Sequence, residues 1–304
     1  MIQRRHFRVL SGVLTLVFCT SVSIAQTSNS PATKNSSLRL AAAPAQPAKE
    51  TPVSEKTTMR TTEQKVGGSA YREVSGFFNV REANANVTQG EWEFEVPAIW
   101  ETDVDGDDDE YVGASLKYGF SDQTFLELEL IPVRLGDGGD HGAGDLALQL
   151  FHNFFQEEGN HPAIGAWIEG RFPTGEGSSG IDGELGASIT KTLADRWRAH
   201  LAGFVETANG APGGEDENGR RDFQWGAGVG LDYQCSDRTI GLINYFNKAA
   251  EENGNSNLNI LEIGFAHELC EGQHLKGALD IGLDGHEHNP DFGAKLQWSI
   301  EFGG

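Results

Sequence analysis

The chain has 304 residues and carries 45 acidic against 23 basic side chains, for a formal net charge of -22. A polyanion of this kind is not expected to bind nucleic acid or an anionic membrane surface, because both would repel it. Its mean hydropathy of -0.40 argues against a helical membrane protein, which needs stretches of roughly 20 apolar residues. The 39 glycines suit twisted strands and loops better than helices.

Residues 1–25 have the layout of a secretory signal peptide. Three arginines precede an apolar run over residues 9–18, and small residues stand at the two positions that a signal peptidase reads, Ser23 and Ala25. A membrane anchor and a lipid anchor at Cys19 are the alternatives. The lipid anchor is disfavoured because a bulky phenylalanine precedes that cysteine, where lipoprotein signals need a small residue.

Residues 26–65 are rich in Ser, Thr, Pro, Ala and Lys and have almost no aromatic side chain. Such a segment cannot bury enough apolar surface to offset the entropy of ordering, so it is predicted to be a disordered linker. Residues 66–90 are a transition in which Phe77, Phe78 and Val80 could form a short strand, a periplasmic helix or a plug in a barrel lumen. The sequence leaves these three alternatives open.

A strict alternation of apolar and acidic residues begins at Glu91. In the first stretch, Trp92 and Phe94 fall on one face while Glu93 and Glu95 fall on the other, which is the period-two pattern of a β-strand. Reading onward gives twelve candidate strands of about ten to thirteen residues, the length of a tilted strand that spans a bilayer. They cover residues 91–101, 110–120, 124–135, 144–155, 162–172, 183–194, 196–207, 222–234, 238–248, 258–269, 273–284 and 291–302.

The connections between these strands alternate between short and long. Short turns near residues 121–123, 195, 236–237 and 271–272, with a slightly longer one at 156–161, interleave with long loops at 102–109, 136–143, 173–182, 208–221, 249–257 and 285–290. Short periplasmic turns with long extracellular loops are typical of outer-membrane barrels. The pattern therefore predicts an all-β fold over residues 91–304, a transmembrane antiparallel up-and-down β-barrel of about 12 strands (range 10–14). A water-soluble β-protein is the alternative.

In such a barrel the polar face of each strand lines the lumen. The predicted lining residues are Glu93, Glu95, Glu127, Glu129, Glu169, Arg171, Glu184, Arg198, His200, Lys276 and Lys295. They could set the selectivity of a channel, or they could form a salt-bridged interior that only solvates the barrel. Paired acids such as Glu127 and Glu129 could in principle serve acid–base catalysis, but no partner is defined for them, so no catalytic residue is predicted.

Two loops contain candidate metal ligands. The acidic loop with Asp103, Asp105, Asp107 and Asp109 has the acid density of a calcium site but lacks the full EF-hand spacing. The loop could simply be solvated. The alternative is that it binds Ca²⁺ at the surface, where the ion would bridge to neighbouring lipopolysaccharide. The pair of His286 and His288 is a further candidate for a transition metal. No other cofactor is expected.

Export would leave two cysteines, Cys235 and Cys270, in consecutive short turns on the same rim of the barrel. An even pair in an oxidising compartment is a candidate disulfide. Two separate thiols are the alternative, and the spacing does not decide between them.

Several short motifs stand in the turns and near the strand ends. They are Tyr118-Gly119-Phe120-Ser121-Asp122-Gln123, Thr192-Leu193-Ala194-Asp195-Arg196-Trp197, Cys235-Ser236-Asp237-Arg238, Gly144-Asp145-Leu146, Phe172-Pro173-Thr174-Gly175 and Thr88-Gln89-Gly90. Together they resemble the outer-membrane barrel family associated with the meta-pathway of phenol degradation. The resemblance covers about residues 85–304 and implies transport of small, often hydrophobic compounds across the outer membrane. It supplies no catalytic residues.

The last strand also resembles the signal that the barrel-assembly machinery reads, with Leu296, Trp298, Ile300 and Phe302 at alternate positions. It departs from the usual pattern because Gly303 and Gly304 follow where an aromatic residue is normally terminal. The expected partners are therefore outer-membrane lipid, lipopolysaccharide, this machinery and a small solute, with no nucleic acid.

The sequence leaves three functional hypotheses for this predicted outer-membrane protein. The first is a channel or transporter for small, hydrophobic or aromatic solutes. The second is a structural or adhesive surface barrel whose acidic loops bind cations. The third is an outer-membrane lipid enzyme that uses the outward-facing His152, although no serine on an adjacent strand completes a catalytic set. A non-enzymatic role is the prediction.

Overall fold

The computed structural model describes residues 73–103, 108–134, 142–175, 180–207, 221–250, 255–283 and 290–304. Twelve long antiparallel strands and one two-residue strand, β4, form a single closed sheet. Their bounds are β1 Glu91–Asp103, β2 Asp108–Ser121, β3 Thr124–Arg134, β4 Gly142–Ala143, β5 Leu146–Phe155, β6 Ala163–Phe172, β7 Asp182–Ala194, β8 Trp197–Thr207, β9 Phe223–Ser236, β10 Thr239–Lys248, β11 Leu258–Cys270, β12 Gln273–Gly282 and β13 Pro290–Gly303.

Each long strand pairs with the long strands before and after it in the sequence, and the sheet closes on itself because β1 also pairs with β13. That seam runs from the Glu91–Gly303 pair to the Asp103–Pro290 pair. The short strand β4 pairs only with the end of β3, and β5 continues on the same side of β3. The predicted all-β barrel of about twelve antiparallel strands is therefore confirmed. Closure leaves the sheet without a free edge.

The hairpin between β1 and β2 is longer than the sequence predicted. The predicted loop began at residue 102, but Glu101 pairs with Asp109 and Thr102 with Asp108. The ladder continues here because backbone pairing does not require the apolar alternation that was used to locate strand ends. Among the residues that the structure describes, no helix is long and apolar enough to span a membrane.

The start of β1, the end of β13 and the two-residue turns all lie on one rim of the barrel, which we call the turn rim. Two-residue turns join β2 to β3, β7 to β8, β9 to β10 and β11 to β12. Gly272 has a φ of 71° in the last of these turns, a backbone conformation that favours glycine. The longer β5–β6 connection, residues 156–162, lies on the same rim, and the opposite ends of the strands form the loop rim.

The wall of the barrel is apolar outside and polar inside. On β9, Phe223, Trp225 and Val229 are exposed, whereas the alternating Gln224 and Asp232 are buried. Aromatic pairs mark the turn rim on the outer face. The ring centroids are 4.6 Å apart in the Trp92–Tyr118 pair and 4.7 Å apart in the Trp197–Tyr233 pair. An apolar band with aromatic residues at its border is the surface that a bilayer requires.

Residues 73–90, which we call the lumenal segment, lie inside the barrel. The segment rises from the turn rim, reaches Asn79 and Arg81 near the middle of the wall, and returns to Gly90 and β1. It contains neither helix nor strand. Its apolar side chains contact three patches of the inner wall. These are Val74 and Phe78 with Ile240, Leu242, Ala266 and Ala278; Val80 with Ala202 and Phe246; and Val87 with Phe125, Phe151 and Trp167.

Two inward glycines of the wall make room for this segment. A Cβ added at Gly165 would lie 2.5 Å from the Ala83 carbonyl oxygen, and one at Gly228 would lie 2.6 Å from Val80 Cγ2. Both distances are shorter than real Cβ contacts, so a side chain at these positions would displace the segment or distort the wall. The alternation of β9 places Gly228 on the inner face of the strand, but it does not reveal what the glycine accommodates.

Of the two alternatives left open for Cys235 and Cys270, the structure shows the separate thiols, since both cysteines are free and exposed. Cys235 lies at the end of β9 and Cys270 at the end of β11, and β10 lies between them. Two strand spacings amount to roughly 9.5 Å, whereas a disulfide needs Cα atoms within about 6.8 Å. Consecutive turns on one rim are therefore too far apart, and the alternative of two separate thiols is correct.

Candidate functional site

The first group of buried charges in the lumen lies near the turn rim. Lys276 Nζ is 2.6 Å from Glu73 Oε2 and 3.2 Å from Glu95 Oε1, and Lys117 Nζ is 2.7 Å from Glu95 Oε1 and 3.4 Å from Glu93 Oε2. Glu73 belongs to the lumenal segment, whereas the other four residues belong to the wall. The group therefore ties the start of the segment to β1, β2 and β12.

A second group surrounds Asn79 near the middle of the barrel. The side chain of Lys295 forms ion pairs with Glu262 and with Asp280, the latter at 3.1 Å. Asn79 donates its backbone N–H to both Glu262 carboxylate oxygens at 3.2 Å and its side-chain amide to Asp280 Oδ1 at 3.2 Å. The top of the segment is thus held by three strands, β11, β12 and β13.

A third group holds the returning half of the segment. Arg198 contacts Asp232 Oδ2 at 2.6 Å and Glu82 Oε2 at 2.8 Å, and His200 Nε2 lies 2.9 Å from Asp232 Oδ2. The backbone N–H of Ala83 donates to Thr190 Oγ1 at 2.8 Å. Removal of one partner from a buried pair of this kind typically costs about 3–5 kcal/mol, because a charge is left without compensation.

Arg81 of the segment occupies an aromatic cage. Its guanidinium carbon lies 4.7 Å from the ring centroid of Phe151 and 4.8 Å from that of Trp167, and Nη1 donates to Gln149 Oε1 at 2.8 Å. Cation–π contacts contribute about 2 kcal/mol or more when they are desolvated. Arg81 is therefore a strong anchor between the segment and strands β5 and β6.

A cavity of about 400 Å³ lies between the top of the segment and the loop rim. Its floor contains Phe77, Phe78, Asn79 and Arg81, and its walls contain Glu127, Glu129, Trp167, Glu169, Arg171 and Glu184 among others. Arg171 lies 3.0 Å from Glu169 and 3.7 Å from Glu184. Trp167 donates its indole N–H to Glu184 Oε1 at 2.5 Å. The cavity thus combines aromatic surface with an excess of carboxylates.

All eleven residues predicted to line the lumen point inward. Glu127, Glu129, Glu169, Arg171 and Glu184 face the cavity, with Glu95 at its lower edge. The other five, together with Glu95, are buried in the three charged groups. They are Glu93, Glu95, Arg198, His200, Lys276 and Lys295.

Sequence reasoning missed part of the same lining. Lys117, Asp232, Glu262, His274 and Asp280 stand on inward positions of their strands, and the period-two rule could have found them. The missed residues of the segment, Glu73, Arg81 and Glu82, carry no such periodicity.

The other predicted candidates do not join this site. Asp105, Asp107, His286 and His288 lie outside the described residues, and Asp103 and Asp109 are described only as paired backbone positions at the ends of β1 and β2. The structure therefore does not test the calcium site or the transition-metal site in these loops, and both remain predictions.

His152 faces outward, as predicted for the lipid-enzyme hypothesis. Its Nδ1 lies 2.7 Å from Thr124 Oγ1 on the neighbouring strand. The same arrangement recurs between Thr239 and His267, at 2.8 Å. Both pairs lie near the turn rim, and the repetition indicates a structural role for the pair in the wall.

The sequence matches no protein-family model and no curated protein. Among solved structures, an outer membrane channel from Pseudomonas putida F1 matches with a TM-score of 0.58 and 19% identity, over 72% of this chain and 98% of that one. The NanC porin matches with a TM-score of 0.48 and 6% identity (68% and 98% of the two chains), and the Ralstonia pickettii toluene transporter TbuX with 0.41 and 8% (71% and 90%). The first likeness shows that this chain has an outer-membrane barrel fold. The other two are too distant to argue from.

Proposed function

We propose that this protein is an outer-membrane channel for small solutes, whose lumen is narrowed by its own residues 73–90. The observation that carries the proposal is the polar lumen, in which a cavity of about 400 Å³ ends on the lumenal segment. A barrel that served only as a surface scaffold would need no such space. The turn rim would face the periplasm and the loop rim the exterior, as in other barrels of this topology.

The cavity also supports small aromatic or hydrophobic compounds as the solutes. Phe77, Phe78 and Trp167 offer aromatic surface on its floor and wall, while the surrounding carboxylates keep the pathway wet. Small-molecule sites commonly pair apolar surface with a few polar groups in this way. The motif resemblance to the phenol meta-pathway family points in the same direction.

The remaining assignments follow from an outer-membrane location. The exposed apolar band would contact lipid, the loop rim would contact lipopolysaccharide, and β13 would carry the signal that the barrel-assembly machinery reads. Residues 1–25 would direct export and then be removed. A role in the degradation of phenol is the finer part of the proposal and rests on the motifs alone.

The test compares the mature chain with a truncated chain that begins at Asn86, both reconstituted in planar bilayers and in liposomes. We expect the mature chain to conduct weakly and the truncated chain to conduct several-fold more, because most of the lumenal segment is gone. Liposome swelling in small aromatic alcohols and in sugars of similar size then reports solute preference.

Both chains must first show the heat-modifiable gel migration of a closed barrel, so that a failure to fold is recognised. Equal conductance of the two chains would contradict a narrowing role for the segment. A truncated barrel that folds but does not conduct would contradict the channel function itself.

A further inference from the structure

Besides the three groups of buried charges, a smaller cluster of side chains lies close to the turn rim, next to the first group. Glu73 at the start of the lumenal segment, His274 on β12 and Glu301 on β13 each offer one ligand atom, and these three atoms lie within 4.8 Å of one another. His274 Nε2 is 3.4 Å from Glu301 Oε1 and 3.9 Å from Glu73 Oε1. Three separate elements thus converge on one point.

The histidine in this cluster is buried without hydrogen bonds. His274 and Glu73 are both fully buried. Neither ring nitrogen of His274 makes a hydrogen bond of normal geometry, and neither does Glu73 Oε1, the carboxylate oxygen nearer to His274. Buried polar groups in proteins are nearly always satisfied, and each exception requires an explanation such as an ion that occupies the site. An imidazole nitrogen within 4 Å of two carboxylate oxygens is a set of donors that a divalent metal can bind.

The charges around the cluster also favour an additional cation. Glu73, Glu93 and Glu95 bring three carboxylates into this end of the lumen, and among the residues that the structure describes they share two lysines, Lys117 and Lys276. Buried charges in proteins are either paired or coordinate a metal. A divalent cation between Glu73, His274 and Glu301 would offset this excess of carboxylates.

The donor set indicates the kind of metal. One imidazole nitrogen with two carboxylate oxygens suits zinc and similar first-row divalent ions, whereas calcium and magnesium prefer oxygen ligands alone. Ligand atoms around a tetrahedral zinc lie roughly 3.3 Å apart, given bond lengths of about 2.0–2.1 Å. The separations in this cluster, 3.4 Å, 3.9 Å and at most 4.8 Å, would therefore each need to shorten by about 1.5 Å or less.

We propose that Glu73, His274 and Glu301 form a binding site for Zn²⁺ or a similar divalent transition metal. Bound there, the metal fastens the start of the lumenal segment to β12 and β13. The site would make the position of the segment depend on the metal, whichever solute the barrel admits.

The experiment uses the mature chain, folded in detergent, stripped with a chelator and titrated with Zn²⁺ by calorimetry, with Co²⁺ absorption as a second readout of ligand geometry. We expect one site per chain. Even the loss of an outer-shell partner typically weakens a metal site roughly 10–100-fold, so His274→Ala should weaken this one at least 10-fold. Glu73→Gln should also weaken it. His267→Ala on β11 is the matched control, because it removes a histidine from the outer face and should leave the affinity unchanged.

Limited proteolysis then tests the consequence for the segment. Zn²⁺ should slow cleavage within residues 73–90 of the mature chain and have no effect on His274→Ala. Equal Zn²⁺ binding by the mature chain and His274→Ala would overturn the proposal, as would no binding at all, which would leave His274 as a protonated partner of the two carboxylates. Zn²⁺ binding without protection would overturn the fastening. If His274→Ala does not show heat-modifiable migration, Glu301→Gln replaces it in both assays.

Discussion

At the scale of single residues, the positions that matter most are charged side chains whose partners lie on other elements. Arg198 and Lys276 each join a carboxylate of the lumenal segment to a carboxylate of the wall. Buried ion pairs of this kind add little net stability, because desolvation opposes their attraction. They do strongly disfavour any arrangement in which one partner is missing, so they fix the path of the segment more than they stabilise the barrel.

Glu157 shows the same principle at the turn rim, outside the spanning strands. It accepts hydrogen bonds from Lys191 Nζ at 2.7 Å, from Thr192 Oγ1 at 2.8 Å and from the Thr192 backbone N–H at 3.0 Å. Partial burial raises the pKa of Glu157, but these donors outweigh that effect and leave the pKa below its ordinary value. The carboxylate therefore joins the β5–β6 turn to the end of β7 in its ionised form.

A pH-dependent loss of stability should follow for Glu157→Gln. Because the folded pKa is depressed, the contribution of this carboxylate is complete above the unfolded value of roughly 4.3 and disappears as the pH falls through the lower folded value. We expect the variant to unfold at a lower temperature than the parent at pH 7, with the difference shrinking below about pH 4. Thermal unfolding in detergent at both pH values measures it. A difference in unfolding temperature that stays constant with pH would show that ionisation of Glu157 does not contribute to stability.

At the scale of elements, each strand presents one face to lipid and the other to the lumen. Val229 lies midway along β9 and Phe223 at its loop-rim end, and both side chains are more than half exposed on the outer face, at 53% and 55%. A cation on this face is costly in proportion to its depth in the bilayer. The pair therefore offers a matched test of the membrane position of the wall.

Val229→Arg should destabilise the barrel by about 2–4 kcal/mol, and Phe223→Arg by roughly 0–1 kcal/mol beyond the loss of the ring's own contacts. Denaturant unfolding of the proteins in liposomes measures both free energies. If Val229→Arg costs no more than Phe223→Arg, β9 does not cross the hydrocarbon at the depth proposed here.

The strands could be predicted closely from the sequence, whereas the lumenal segment could not. The side chains of residues 223–236 point alternately to lipid and to the lumen. The period-two pattern alone therefore identifies the strand and its two faces. Val74, Phe78, Val80 and Val87 obey no period, because each contacts a different patch of wall. Their positions depend on which strands face each other across the barrel. The contact between Glu73 and His274 could not be inferred either, because the two residues are 201 positions apart in the chain.

At the scale of the whole molecule, the acidic character of the chain extends into the lumen. Among the residues that the structure describes, inward carboxylates outnumber inward lysines and arginines. The carboxylates include Glu93, Glu95, Glu127, Glu129, Glu169, Glu184, Glu206, Asp232, Glu262, Asp280 and Glu301, and the cations include Lys117, Arg171, Arg198, Lys248, Lys276 and Lys295. A lumen of this composition attracts cations and repels anions.

The truncated chain that begins at Asn86 should therefore pass potassium in preference to chloride. The preference should be larger at about 0.1 M salt than at 1 M, because the Debye length falls from roughly 10 Å to 3 Å. Reversal potentials across a salt gradient measure it, and Glu129→Gln combined with Glu169→Gln should reduce it. Anion preference, or no preference at low salt, would contradict this account of the lumen.

The seam between β1 and β13 has a consequence for biogenesis. The lumenal segment contacts Lys276 on β12 and Lys295 on β13, yet it precedes every strand in the chain. It cannot reach its final position until the last hairpin has been delivered, so for most of the insertion process its apolar and charged side chains have no native surroundings. Docking of the segment must then be completed late, when the cylinder closes, and a segment that precedes every strand in the chain is among the last parts to settle.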